Sequence, residues 1–168
     1  MKYSIKFYLI ISLLFSFGIK AQSPCKYPNS NQFDFWVGHW NLTWENEKGK
    51  ILTGENTISE ILDGCVIEEN FIAHTLGFKG KSVSVYFEPQ QLWKQTWVDN
   101  RGGYLDFTGG MSDDKMILSR KFTNGEGQTI HQRMVWYNIN KNSLDWNWEK
   151  SRDGKNWKIA WKIHYERK

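Results

Sequence analysis

The chain is 168 residues long, is 16% aromatic with ten tryptophans, and carries a formal charge of +4. That length supports one domain with a sizeable core. The charge excludes polyanion or nucleic-acid binding by bulk field: residues 1–21 hold Lys2, Lys6 and Lys20 and no acid, so the remainder stands at only +1.

Residues 1–21 read as a secretory signal peptide. Lys2 and Lys6 precede an apolar run from Phe7 to Ile19, and Ile19-Lys20-Ala21 places a small residue at the cut. A secreted or periplasmic protein with no stable membrane anchor after cleavage is expected. Residues 22–32 form a polar leader, and 33–168 form the domain. Cys25 and Cys65 are the only cysteines. In an oxidising compartment they are expected to form one structural disulfide.

Next comes Phe33-Asp34-Phe35-Trp36-Val37-Gly38-His39-Trp40, continuing to Trp44. At period 2 it places Trp36, Gly38, Trp40, Leu42 and Trp44 on one face of a first strand. Further strands are expected near 51–61, 65–73, 81–88, 92–99, 103–108, 115–122, 128–138, 143–150 and 156–166. Asp63-Gly64 reads as a two-residue hairpin turn. Asn100-Arg101-Gly102-Gly103, Gly109-Gly110, Asn124-Gly125-Glu126-Gly127 and Asp153-Gly154 mark further turns. The stretch from His74 to Lys81 reads as a surface loop. No window carries a convincing helical stripe. The fold expected is all-β: a single antiparallel up-and-down barrel of about ten strands. Trp157, Ile159, Trp161, Ile163 and Tyr165 repeat the opening alternation, so the last strand is expected to pair with the first.

Gly38-His39-Trp40 resembles the G-x-W signature of lipocalins and the wider calycin barrels. The resemblance implies that Arg167 stacks on Trp40, which makes Trp36 and Trp40 plug and seam of the barrel. The order of Phe33 to Trp40, Asp63-Gly64-Cys65, Gln95-Thr96-Trp97-Val98-Asp99, Arg133-Met134-Val135-Trp136 and Trp148 to Trp157 is similar to secreted bacterial lipocalin-like domains of unknown function. The similarity spans nearly all of the chain after the leader. His39 and Phe71 stand where that family often has an acid and a tryptophan.

Candidate lumen residues follow from strand phase. Gln95, Trp97 and Asp99 share one face, His131 and Arg133 another, and Trp146 and Trp148 a third. Indole planes stack on sugar faces, while Arg, Gln, Asp and His pair with hydroxyls and carboxylates. A small ligand is therefore expected, with an acidic oligosaccharide as the first choice. Lyase or dehydratase chemistry needs one base and one acid. His131 with Tyr104 or Glu69 supplies them, and Arg133 holds a substrate carboxylate. Gln95, Trp97, Asp99, Trp146, Trp148 and His39 complete the site. The alternatives are a non-catalytic carrier of a hydrophobic ligand or haem, and a barrel filled by its own tryptophans. There is no H-E-x-x-H, G-x-S-x-G, P-loop or dinucleotide fingerprint, so neither a metal site nor a cofactor is expected.

Overall fold

The computed structural model describes residues 25–168, and the expected signal peptide lies outside them. Ten antiparallel strands run in chain order: β1 (Gly38–Glu45), β2 (Ile51–Ile61), β3 (Val66–Ala73), β4 (Phe78–Phe87), β5 (Leu92–Asp99), β6 (Tyr104–Ser112), β7 (Lys115–Thr123), β8 (Thr129–Tyr137), β9 (Ser143–Ser151) and β10 (Lys158–Arg167). Each pairs with its sequence neighbours, and β1 pairs with β10, so the sheet closes on itself. The closing register sets Trp40 opposite Arg167 and Leu42 opposite Tyr165. Closure leaves no free sheet edge. The all-β up-and-down barrel expected from the sequence is the fold observed.

Burial alternates strictly along β1 to β4, with Trp40, Leu42 and Trp44 turned inward on β1. The first strand is shorter than the sequence implies. Asp34–Trp36 forms one 3-10 turn, and Gly38, at φ 140°, starts β1. A Cβ at Gly38 would collide with the Arg167 guanidinium. Trp36 therefore does not lie on the face of Trp40. It sits across the barrel end, packed edge-on against Trp136 at 5.2 Å. Phe33 fills the rest of that end, edge-on against Trp93 at 4.9 Å and Trp136 at 5.3 Å.

This end is sealed three ways. Cys25 and Cys65 form a disulfide that ties the leader to the β2–β3 hairpin. The Trp40 indole donates to the Trp36 carbonyl at 2.7 Å. The Arg167 guanidinium stacks 4.1 Å over Trp40 and donates to the carbonyls of Val37 and Phe35. Cation–π contact and carbonyl acceptors together hold this half-buried cation without a carboxylate. Plug and seam are thus the roles of Trp36 and Trp40.

Three local expectations are corrected. Gly109 and Gly110 lie inside β6, paired with Leu118 and Ile117 of β7, and mark no turn. The β2–β3 connection is a four-residue turn, Leu62 to Cys65, with Leu62, Asp63 and Gly64 all at positive φ. The stretch after β3 is no long loop. His74–Leu76 makes one 3-10 turn, Gly77 adopts the left-handed conformation, and β4 begins at Phe78. Gly80 and Ser82 face inward there, a phase that small residues conceal from hydropathy.

Candidate functional site

The hairpins β1–β2, β3–β4, β5–β6, β7–β8 and β9–β10 lie at the end opposite the plug, and there the lumen is open. A cavity of about 190 Å3 runs inward from it. Half-buried Phe78, Trp97, Asp99, Leu105, Trp148 and Trp161 surround its mouth. Buried Glu69, Phe71, Phe107, Met134, Trp136 and Tyr165 line its depth. Trp146 and Trp148 lie nearly parallel at 6.5 Å, and Trp161 meets Trp146 edge-on at 5.9 Å. These indoles come from alternate positions of β9 and from β10, so their faces turn to the same space.

Gly80 permits part of this wall. A Cβ there would collide with the Trp97 indole, which lies across the β4 backbone. The same indole donates to Asp99 at 3.2 Å. Asp99 also accepts from the backbone N–H groups of Arg101 and Gly103. Burial pushes the Asp99 carboxyl up, but these donors outweigh it and hold it below the ordinary carboxylate range.

Glu69 is the polar centre of the lumen, at 6% exposure. Asn56 Nδ2 donates to its Oε1 and Ser82 Oγ to its Oε2, each at 2.7 Å. Asn56 also donates to the Tyr165 hydroxyl at 3.3 Å. The barrel register brings these together: Ser82 is opposite Glu69 on β4, and Asn56 lies one step along β2. Burial pushes the Glu69 carboxyl up to about 7, against the lowering effect of the Ser82 and Asn56 hydrogen bonds. Burial also pushes the Tyr165 phenol far up, so it stays protonated. A carboxyl in a cleft, poised between its two forms near neutral pH, is a candidate for ligand or proton handling.

Of the residues singled out from the sequence, Glu69, Trp97, Asp99, Trp146 and Trp148 meet around this cavity. Gln95 faces the lumen but donates to Ser84 at 2.9 Å and does not line the cavity. The other four stand on the outer wall. On β8 the inward face is Ile130, Gln132, Met134 and Trp136, so His131 and Arg133 point outward. Arg133 donates to Glu149 at 2.6 Å and lies 4.0 Å over the Trp157 ring. The β9–β10 connection folds back over the outside of β8, bringing Gly154 beside the His131 ring. Tyr104 is 64% exposed on β6. His39 is exposed on β1, with Nδ1 3.3 Å from Thr57 Oγ1. The expected quartet of His131, Arg133, Tyr104 and Glu69 therefore does not converge, because the sheet wall stands between Glu69 and the other three.

The chain matches no protein-family model and no curated protein. Its reading rests on its own geometry. Among the described residues, no three His, Cys, Asp or Glu side chains are grouped to hold a metal ion.

Sequence reasoning missed Asn56 and Ser82 as partners of Glu69, and Tyr165 as the second partner of Asn56. The inward phase of Asn56 and Tyr165 follows from the alternation of their strands, but that of Ser82 does not. The signal that marks Asn56 is a polar residue in a row of inward positions, between Gly54 and Ile58 on β2, whereas Ser82 stands between Gly80 and Ser84 and carries no such signal.

Proposed function

We propose that this protein is a secreted or periplasmic lipocalin-like carrier that holds a small, largely apolar ring-bearing molecule in its open-ended lumen. The observation that carries the reading is the wall chemistry. The cavity is bounded by nine aromatic side chains and by two carboxyl groups, with no Lys, Arg or His. An engineered cavity of about 150 Å3 takes benzene, so the enclosed part here fits one or two fused rings. Remaining ligand atoms extend through the mouth.

The wall argues against an acidic oligosaccharide. A carboxylated sugar would meet Glu69 and Asp99 on the cavity wall, which disfavours it; Arg120, whose guanidinium lies over the Phe107 ring with Nε and Nη1 unpartnered, offsets them only in part. The separation of His131, Arg133 and Tyr104 from Glu69 likewise removes the support for lyase or dehydratase chemistry. No histidine lines the cavity to ligate haem. The placement outside the cell is supported by the Cys25–Cys65 disulfide.

Tryptophan fluorescence reads binding directly, since Trp97, Trp136, Trp146, Trp148 and Trp161 line the site. Residues 25–168 are titrated with indole, naphthalene, an acidic disaccharide and haem. The ring compounds are expected to quench and to raise the melting temperature. Leu105→Trp, which narrows the mouth, is expected to weaken both effects. Tighter binding of the acidic disaccharide or haem, or ring binding that ignores Leu105→Trp, would sink the proposal.

A further inference from the structure

We propose that the lumen recognises a neutral carbonyl oxygen on its ring-bearing ligand, and that Arg120 on β7 is the group that binds it. This deepens the carrier reading and rests on it.

Arg120 continues the inward row of β7. Met116 and Leu118 are fully buried there, and Arg120 and Phe122 take the next two inward positions towards the open end. The β6–β7 ladder pairs Thr108 with Ser119, so Arg120 stands beside Phe107 at the next step. Its guanidinium lies over two rings, 5.8 Å from the centre of Phe107 on the cavity wall and 4.9 Å from that of Phe122 at the rim. Among the described residues, no carboxylate forms an ion pair with it. Its Nε and Nη1 are buried and donate to nothing.

A guanidinium carries only donors, and a buried donor without an acceptor is costly. Gln132, opposite Arg120 on β8 and 9% exposed, does not meet the need, because its Oε1 accepts nothing either. The protein therefore holds Arg120 by ring contacts alone. A turn of the guanidinium off Phe107 towards the cavity breaks no hydrogen bond or ion pair. An acceptor oxygen placed there meets donors that the empty protein leaves unused.

The charge around the cavity selects a neutral acceptor over an anion. Glu69 and Asp99 share the cavity wall, and a ligand carboxylate bound to Arg120 would still face both. Lys150, opposite Gln132 on β9, and Lys158, opposite Lys150 on β10, add positive charge at the rim. Both are exposed, so solvent screens them. A carbonyl takes the hydrogen bonds of the guanidinium without meeting that repulsion. Trp148, edge-on to Phe107 at 5.6 Å, offers its plane to the ring that bears the carbonyl.

The test uses three probes that share a phenyl ring: ethylbenzene, acetophenone and benzoate. Affinities are measured by calorimetry for the unsubstituted protein and for Arg120→Met, which keeps an unbranched apolar stem and removes the donors. The variant is expected to weaken acetophenone about tenfold and to leave ethylbenzene unchanged. Benzoate is expected to bind the unsubstituted protein more weakly than acetophenone. The infrared carbonyl stretch of bound acetophenone gives a reading that does not depend on the variant folding. In the unsubstituted protein it is expected well below its position in hexane, as for a carbonyl that accepts a hydrogen bond from a cation, and in Arg120→Met it is expected to move back towards that position. If the stretch in the unsubstituted protein matches hexane, if it is the same in Arg120→Met, or if the variant changes the two neutral probes alike, the carbonyl proposal falls and ethylbenzene binding leaves the carrier reading standing. If benzoate binds tightest, the site takes an anion and the neutral-acceptor proposal falls as well. If none of the three binds, both readings fall.

Discussion

The two ends of this barrel use the same side chains for opposite ends. At the closed end, Phe33 and Trp36 descend from the leader and pack edge-on against Trp93 and Trp136. At the open end, Trp97, Trp148 and Trp161 present their rings to a cavity of about 190 Å3. What separates the ends is one short segment: the 3-10 turn Asp34–Trp36 supplies the plug. The strand wall could have been filled at both ends. It is filled only where the chain delivers extra aromatic volume. A tryptophan count therefore says nothing about whether a lumen is open, and the position of the turn that caps it does.

The sharpest way to break the comparison is to unplug the closed end. Trp36 is 1% exposed and makes ring contacts with Phe33 and Trp136. Trp36→Ala leaves a closed void, so its cost is expected at the upper end of roughly 3–5 kcal/mol in urea unfolding. A loss below about 2 kcal/mol would mean that the plug is dispensable. Next in size is the tie that holds the leader in place. The Cys25–Cys65 bridge spans a separation of 40 residues. The double variant Cys25→Ser/Cys65→Ser is expected to lose about 4 kcal/mol on a chain-entropy account. Full stability in that variant would show that Phe33 and Trp36 dock without the bridge.

The third test concerns the cost of keeping the open end polar at its heart. The unfolded Glu69 carboxyl titrates near 4.5 and the folded one at about 7. Between those values the folded state holds the proton more tightly, so stability contributed by this group falls as pH rises and is fully lost above 7. The swing is about 3 kcal/mol. Compared with Glu69→Gln, the unsubstituted protein is expected to lose that much stability between pH 4.5 and 7.5. Identical pH slopes for the two proteins would show that the carboxyl is already well solvated.

The comparison also explains what could be read from the sequence. Ten strands were legible because indoles alternate with polar residues along β1 and β10, and Gly or Asn marks most turns. The Arg167–Trp40 stack was legible through the resemblance. The phase of β8 was not. Its inward face carries Gln132 among Ile130, Met134 and Trp136, while its outward face carries Val135 at 5% exposure between Arg133 and Tyr137. Hydropathy barely separates the two faces, because the β9–β10 connection covers His131 and Arg133 on the outside, and Val135 lies there among Ile117, Tyr137, Asn147 and Glu149. Arg133 and His131 look like lumen residues for that reason. Their partners, Glu149, Trp157 and Gly154, are 16 to 24 positions away in sequence, and strand phase alone cannot place them.

The smallest stability effect and the clearest functional one are expected at the mouth. Trp148 lies parallel to Trp146 and edge-on to Phe107 at 5.6 Å, but it is only half-buried. Trp148→Ala would open the space to water instead of leaving a sealed void, so the cavity penalty that follows Trp36→Ala is largely absent. The remaining cost is lost apolar burial, about 1–2 kcal/mol. Ring probes would lose one aromatic plane, and their binding is expected to weaken about tenfold, or about 1.4 kcal/mol. At the closed end the order is reversed: Trp36→Ala is expected to reduce stability severely while leaving the ligand-facing wall intact in the molecules that remain folded. If Trp148→Ala cost as much stability as Trp36→Ala and left probe affinity unchanged, the mouth would be a second plug, and the division between a sealing end and a receiving end would be lost.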